Sequence, residues 1–166
     1  MGRKKTKNYY WTEDTEQAII KYNGGELNEG QKNKLYNDEI EYIGEMRDRN
    51  RFISKLACDL KGNVLVLFTR VEGHGIPLAD IIQASTDRPV HLFHGGVDVV
   101  AREEVRRIAE VSNNNIILGS YGTMSTGVNI KNLHHVVFAS PSKSRIRVLQ
   151  SIGRGLRKAK GKNSVL

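Results

Sequence analysis

Two arginines near the C-terminal end of the sequence have the spacing of a phosphate clamp. Arg154 and Arg157 lie three residues apart within the segment Gln150–Arg157 (QSIGRGLR), whose pattern predicts a helix. At that spacing both side chains leave the same face of a helix, and the planar, permanently charged guanidinium group can bind phosphate oxygens through two parallel hydrogen bonds. Taken alone, the same spacing is also typical of a basic helix face that contacts only water.

A second segment, Gly119–Ile130 (GSYGTMSTGVNI), is rich in small hydrogen-bond donors. It includes three glycines and five hydroxyl side chains, and closely spaced N–H and O–H groups can line a phosphate or sugar surface. Taken alone, it could equally be an ordinary loop after the apolar run Ile116–Leu118. The order of the two segments, with a strand pattern at Val136–Phe138 between them, favours the phosphate-binding interpretation for both.

Short apolar runs are the predicted strands that would position these segments. The first, Val64–Phe68, is uninterrupted, which is typical of a parallel strand buried on both faces. Thr69 and Arg70 follow it directly, at the carboxyl end of the strand, where open α/β sheets bind their ligands. The other predicted strands are Val90–His94, Ile116–Leu118 and His135–Ala139.

Helical patterns alternate with these strands. The longest is predicted from about 29 to 60, with a break near Asn50. An amphipathic helix is predicted at 98–112, with Val99 and Val100 on its buried face. Further helices are predicted at 77–85 and 142–156. Strands and helices that alternate in this way predict an α/β fold with a mostly parallel sheet flanked by helices.

The sequence also indicates two regions of different character. Residues 1–38 are predicted to form a small helical N-terminal extension, with a helix at about 13–22 that ends at a glycine-containing break. Residues 39–166 contain all the predicted strands and would form the α/β domain.

The composition limits the kinds of partner. The 166 residues carry a formal net charge of +8, which favours a polyanion such as nucleic acid. No apolar run reaches the roughly 18 residues that a membrane-spanning helix needs. A single cysteine, Cys58, excludes an internal disulfide and is typical of a reducing cytoplasm. His91, His94, His134, His135 and Cys58 are not at zinc-binding spacing, so no metal site is predicted.

Residues from about 40 to 158 resemble the second RecA-like lobe of superfamily 2 helicases, in particular phage recombination-repair helicases of the UvsW type. The segments that carry the resemblance are Val64–Arg70 (motif IV), Phe93–Gly96, Ser120–Ile130 (motif V) and Gln150–Arg157 (motif VI). Residues 1–23 are in addition similar to the N-termini of phage late sigma factors. The resemblance implies a RecA-like fold for residues 39–166.

The resemblance also implies roles at a nucleotide. In such helicases the second lobe closes over ATP and Mg²⁺ that the first lobe mainly holds. Arg154 and Arg157 would then reach the β- and γ-phosphates, one of them as an arginine finger, a role worth about 10³–10⁵ in rate. Gln150 would orient one arginine or touch the nucleotide. Gly127 and Asn129 would lie at the nucleotide edge of motif V.

A nucleic-acid surface is implied by the same resemblance, with DNA as the expected partner and RNA as the alternative. The residues that would follow the phosphates of one strand are Ser120, Tyr121, Gly122, Thr123, Ser125 and Thr126 of motif V. The residues that would extend this surface are Thr69, Arg70, His94 and Gly95.

Half of a helicase is missing from the sequence. It contains no G-x-x-x-x-G-K-S/T loop to cradle phosphates and no Asp-Glu-x-His or Asp-Glu-x-Asp box after a strand to hold Mg²⁺. We therefore expect no ATP hydrolysis by this chain alone. With a first RecA-like lobe, in cis or in trans, it would form a DNA repair and recombination helicase in the cytoplasm of a phage-infected or bacterial cell.

Other functions fit the sequence as well. The chain could be a non-enzymatic nucleic-acid-binding or transcription-associated module derived from a helicase lobe. It could also be a drifted domain that self-associates to cover the sheet surfaces that a missing lobe would protect.

Overall fold

A computed structural model describes residues 27–125, 130–142 and 144–155 of the chain. The predicted helix at 13–22 and the segment similar to sigma factors lie outside these residues. The elements in chain order are α1 (Glu29–Glu45), α2 (Arg47–Asp59), β1 (Val64–Phe68), a π-helical turn (Val71–Gly75), α3 (Ile76–Gln83), β2 (Val90–Phe93), α4 (Val99–Val111), β3 (Ile116–Ser120), α5 (Tyr121–Ser125), β4 (His135–Phe138) and α6 (Arg145–Gly155). The chain forms two compact units, Met1–Asp38 and Glu39–Leu166, and the strands lie in the second. Their assignment as an extension and a helicase lobe stays a prediction.

The described strands form one four-stranded sheet in the order β2-β3-β1-β4. Every pairing is parallel, with Phe68 opposite Ser120 and Leu67 opposite Phe138. Parallel strands need crossover connections, and the helices between them supply these. The predicted α/β fold with a parallel sheet flanked by helices is thereby confirmed.

Strand β1 is the centre of two hydrophobic cores. All five of its residues are fully buried, because successive side chains point to opposite faces of a sheet that is covered on both sides. Val64, Val66 and Phe68 pack with residues of α2 and α3. Leu65 and Leu67 pack with residues of α4 and α5. Burial on both faces of the sheet explains why every residue of β1 is apolar.

Two details of the helices differ from the sequence predictions. The break in the first long helix lies at Met46, which has extended backbone angles, and not at Asn50. Val99 and Val100 are 67% and 74% exposed, so the prediction that they are buried was wrong. Helix α4 packs on the sheet through its second half, where Ala109 is fully buried. None of the helices described for residues 27–155 is long and apolar enough to cross a membrane.

Buried polar side chains tie the elements together at the amino end of the sheet. The side-chain amide of Asn63 donates to the carbonyl oxygens of Ala109 and Asn132, and its Oδ1 accepts from Asn115. Arg88 donates to backbone carbonyls at the end of α2 and in the turn that follows it. These bonds satisfy carbonyl groups that the end of a helix leaves without partners.

A different polar cluster lies at the carboxyl end of the sheet. His74, in the π-helical turn, is 2% exposed. Its Nδ1 is 3.0 Å from Ser140 Oγ, and its Nε2 is 3.1 Å from Asn50 Oδ1. Burial, and secondarily the nearby charge of Arg49, lowers the pKa of His74 from 6.5 to about 4. The imidazole is therefore neutral at physiological pH.

We expect acid to destabilise the fold through His74. Between pH 6.5 and about 4, His74 is protonated in the unfolded chain but stays neutral in the folded one. The free energy of unfolding should therefore fall by about 3 kcal/mol as the pH drops from 6.5 to about 4. Above pH 6.5 the histidine is neutral in both states, and His74 no longer makes the stability depend on pH. Urea denaturation at several pH values measures this, with the non-titrating variant His74→Asn as the control. If both proteins lose the same stability between pH 7 and 4, His74 is not the group responsible.

Candidate nucleic-acid interface and nucleotide site

Several residues predicted to bind nucleic acid lie along one edge of the sheet. Thr69 and Arg70 follow β1, and His94 and Gly95 follow β2. Because the strands are parallel, all their carboxyl ends meet at the same edge, which we call the rim. Thr69, Arg70 and Gly95 are exposed, and His94 is partly buried with Nδ1 accepting a hydrogen bond from the Gly96 N–H at 3.2 Å. The structure thus brings the ends of β1 and β2 to a common surface, with the end of β3 between them.

The hydroxyl-rich segment at the end of β3 is a short helix with several of its side chains turned inward. Ser120, Tyr121 and Thr123 are 5–8% exposed. Ser120 Oγ donates to Thr123 Oγ1 at 2.9 Å. The Tyr121 hydroxyl donates to the carbonyl oxygen of Ser140 at 2.8 Å. These hydroxyl groups hold α5 against the sheet. Ser120, Tyr121 and Thr123 could therefore contact nucleic acid only through their backbone atoms.

Two glycines shape this segment. A Cβ on Gly119 would overlap the side chain of Met124, so a side chain there would push α5 away from β3. Gly122 is exposed, and a Cβ there would meet no atom within 4 Å. The absence of a side chain leaves the backbone of α5 accessible at the rim, where a phosphate chain can approach closely.

The segment that carries Arg154 is α6, and it lies beside α5. Helix α6 contacts both α5 and β4, so the second predicted segment is adjacent to the first, as the phosphate-binding interpretation requires. Gln150 is exposed on α6. Arg154 belongs to α6, but its side chain and that of Ser125 in α5 lie outside the described part of the structure. The other predicted site residues outside the described ranges are Thr126, Gly127, Asn129 and Arg157.

Two cavities open near the rim. One of about 440 Å³ lies beside Arg70 and is lined by Ile40 and Glu72 among others. The second, of about 450 Å³, is lined by residues that include Arg49 and Phe138. Burial lowers the pKa of the Arg49 guanidinium, and its Nη1 has no hydrogen-bond partner among the described residues. An anionic group that entered this cavity would find an N–H donor ready to bind it.

The sequence did not predict the buried contacts of His74 beneath the rim. The contacts of His74 with Asn50 and Ser140 join residues 24 and 66 positions apart, and no local pattern signals such contacts. Within the described residues no group of three His, Cys, Asp or Glu side chains could hold a metal ion. The Mg²⁺ expected in a complete enzyme is not assigned to any residue of this chain.

Comparison with known proteins agrees with this geometry. Residues 48–159 match the model of the helicase conserved C-terminal domain. Over 130 residues the chain is 44% identical to the ATP-dependent DNA helicase UvsW of Enterobacteria phage T4, covering 76% of this chain and 26% of that protein. Over 154 residues it is 30% identical to a putative ATP-dependent RNA helicase of Acanthamoeba polyphaga mimivirus, covering 90% of this chain and 27% of that one. The chain thus spans about a quarter of the length of these curated relatives.

Solved structures show the same fold. The crystal structure of T4 UvsW matches with a TM-score of 0.64 and 41% sequence identity, over 78% of this chain and 27% of that one. A yeast DEAD-box splicing factor matches with a TM-score of 0.57 over 70% of this chain and 27% of its own, at 17% identity, which shows likeness of fold alone. The resemblance to the second lobe of superfamily 2 helicases is confirmed. The chain belongs to the helicase conserved C-terminal domain family and is the C-terminal RecA-like lobe of a superfamily 2 helicase related to UvsW.

Proposed function

We propose that this lobe binds the backbone of a nucleic-acid strand along its rim and completes an ATP site together with a first RecA-like lobe, in cis or in trans. The observation that carries the proposal is the convergence of Thr69–Arg70, His94–Gly95 and α5 at one edge of the sheet, with α6 beside α5. Nucleic acid would follow the first three, and ATP would lie toward α6.

On the nucleic-acid side, exposed groups make the contacts and buried groups hold them in place. Arg70 supplies a charge-assisted contact to a phosphate, and the exposed backbone at Gly95 supplies an N–H donor. The exposed Thr69 contributes its hydroxyl, because its backbone N–H is bonded to Ser140 Oγ. Gly122 lets the strand approach α5 closely. The residues proposed to support or extend this surface are His94, Ser120, Tyr121, Thr123, Ser125 and Thr126. DNA is the preferred partner because the relative at 44% identity is named a DNA helicase, with RNA as the alternative because the mimivirus relative is named an RNA helicase.

On the nucleotide side, Arg154 and Arg157 would stabilise the charge that develops on the γ-phosphate of ATP bound with Mg²⁺. Gln150, which is exposed on α6, would orient an arginine or touch the nucleotide. Gly127 and Asn129 would complete this edge of the site. The phosphate-cradling loop and the Mg²⁺ ligand would come from the first lobe, because this sequence has no Walker-type motif. In that assembly we place the protein in DNA repair and recombination within a phage-infected or bacterial cell.

A second candidate, self-association, is favoured by the edge of the sheet at β4. Among the described strands β4 pairs only with β1, which leaves its other edge open. A cavity of about 480 Å³ runs between this strand and α2, lined by Phe52, Leu56 and Phe138 among others. Phe52 is 67% exposed. An open strand edge beside exposed apolar side chains is a surface on which a second copy could pair.

Analytical ultracentrifugation at several protein and salt concentrations tests self-association. At low salt we expect a monomer, because the net charge of +8 makes copies of the chain repel one another. If the mass doubles as salt rises and Phe52→Lys restores the monomer, the β4 edge is a dimer interface. The matched control is Val111→Lys, which adds the same charge in place of an exposed apolar side chain at the end of α4. A monomer at every salt concentration removes this candidate.

We expect Arg70→Ala to weaken DNA binding by this chain. Loss of one phosphate contact should lower the slope of log K against log salt by about 1, whatever the DNA sequence. Fluorescence anisotropy with single-stranded and branched DNA at a series of salt concentrations measures the slope. The control is Arg107→Ala, which removes an arginine that is paired with Glu104 on an exposed helix. Equal slopes for the two variants would contradict a contact at Arg70.

The nucleotide role is tested in a polypeptide that joins this chain to a first RecA-like lobe. We expect Arg154→Ala to lower the DNA-stimulated kcat for ATP hydrolysis by about 10³ or more, with Arg106→Ala, on α4, unchanged. The chain without a first lobe should show no turnover. Hydrolysis by the chain alone, or full activity of Arg154→Ala, would contradict the proposal. Retained DNA binding without any ATP dependence would instead favour the non-enzymatic, transcription-associated module.

A further inference from the structure

We propose that His74 is a positioning residue of the nucleic-acid surface. Through a chain of hydrogen bonds that runs from Thr69 to Gly44, it fixes the backbone from which Arg70 reaches the nucleic acid. The inference deepens the function proposed for the rim and rests on it. It assigns a functional role to a buried histidine that lies outside the motifs V and VI discussed above.

The chain of bonds links four elements of the fold. The Thr69 N–H, at the end of β1, donates to Ser140 Oγ at 3.1 Å. Ser140 Oγ lies 3.0 Å from His74 Nδ1 in the π-helical turn. His74 Nε2 lies 3.1 Å from Asn50 Oδ1 in α2, and Asn50 Nδ2 donates to the carbonyl oxygen of Gly44 in α1 at 2.7 Å. We call this chain the relay.

The relay has one consistent direction. Because Asn50 uses its NH₂ group to donate to Gly44, it offers only an acceptor to His74, and Nε2 must carry the hydrogen. Nδ1 of the neutral ring is then an acceptor, so the Ser140 hydroxyl donates to it while accepting from the Thr69 N–H. The lowered pKa of His74 agrees with a neutral ring, and the hydrogen bonds select the tautomer. Each hydrogen bond of the relay thus has one donor and one acceptor.

The relay acts on the rim at two points. Ser140 holds the Thr69 N–H through its hydroxyl and the Tyr121 hydroxyl of α5 through its carbonyl oxygen. The turn that contains His74 begins directly after Arg70 and is closed by a hydrogen bond from the Gly75 N–H to the Arg70 carbonyl oxygen at 2.8 Å. The backbone on both sides of Arg70 is therefore fixed by groups that contact His74.

The approach of α1 shows how closely this region is packed. An added Cβ at Gly44 would lie 3.1 Å from His74 Cβ and 3.3 Å from the Gly73 carbonyl oxygen. The break at Met46 lets the chain turn from α1 into α2, so that Gly44 and Asn50 reach the histidine from different helices. This geometry leaves His74 little freedom to take another rotamer.

A buried histidine can also serve the stability of the fold alone, and the amino end of the sheet offers a matched control. Asn63 is as deeply buried as His74 and as fully hydrogen-bonded, but it lies at the opposite end of β1. Asn63→Ala should therefore destabilise the fold and leave the rim unchanged. A positioning role predicts effects at the rim that a comparable loss of stability does not produce.

The test uses the 166-residue chain at a temperature at which each variant is folded by circular dichroism. The variants are Ser140→Ala, which breaks the relay with the loss of one oxygen, His74→Leu, the conservative His74→Asn, and Asn63→Ala. Anisotropy with a single-stranded oligonucleotide measures binding, and hydrogen exchange followed by NMR measures protection of the Thr69 amide. Ser140→Ala keeps the experiment decisive if His74→Leu does not fold.

We expect Ser140→Ala and His74→Leu to bind the oligonucleotide about fivefold more weakly, which is no more than the loss of the one phosphate contact at Arg70, and to speed the exchange of the Thr69 amide. The double variant of Ser140→Ala and Arg70→Ala should bind no more weakly than Arg70→Ala alone, because the relay acts through Arg70. His74→Asn, which can still accept from Ser140, should recover most of the binding. Asn63→Ala should bind as the unchanged chain does.

The inference is wrong if Arg70→Ala weakens binding while Ser140→Ala affects binding no more than Asn63→Ala does. It is also wrong if the Thr69 amide exchanges at the same rate with and without the Ser140 hydroxyl. A chain that does not bind the oligonucleotide, or that binds equally well without Arg70, overturns the proposed function, and the positioning role is then overturned with it.

Discussion

The parallel pairing of four strands around a fully buried β1 sets the positions of the flanking helices and of the rim. Because β1 pairs with both β3 and β4, and β3 with β2, the carboxyl ends of all four strands meet at one rim. Segments that are distant in sequence thereby become neighbours on one surface. The burial of β1 on both faces drives this arrangement, since its five side chains contribute to both hydrophobic cores.

The two ends of the sheet are stabilised in different ways, and the difference suits the nucleic-acid binding proposed for the carboxyl end. At the amino end, Asn63 and Arg88 bond to backbone carbonyls of several elements and hold the fold together. At the carboxyl end, the polar groups are bonded beneath the surface, in the relay through His74, while Arg70 and Gly122 are exposed above it. A surface that binds a flexible polyanion benefits from a rigid support, because less ordering is then needed on binding.

The sequence predicted the sheet better than the site. Strand Val64–Phe68 has the predicted bounds, because five consecutive apolar residues fit a strand covered on both faces. Inward burial of Val99 and Val100 was predicted from helical periodicity, which does not tell where along its length a helix meets the sheet. The donors of Ser120 and Tyr121 were visible in the sequence, but their inward direction depends on contacts with Thr123 and Ser140 that only the fold creates.

Nucleic acid is proposed to bind at the carboxyl rim, and NMR of the isotopically labelled chain can detect that binding residue by residue. Titration with a short single-stranded DNA should shift the amide signals of Thr69, Arg70, Gly95 and Gly122, with a response that weakens as salt rises. The amides of Asn63 and Asn115, at the amino end of the sheet, should not move. Shifts at the amino end or along β4 instead, with the rim signals unchanged, would contradict the account.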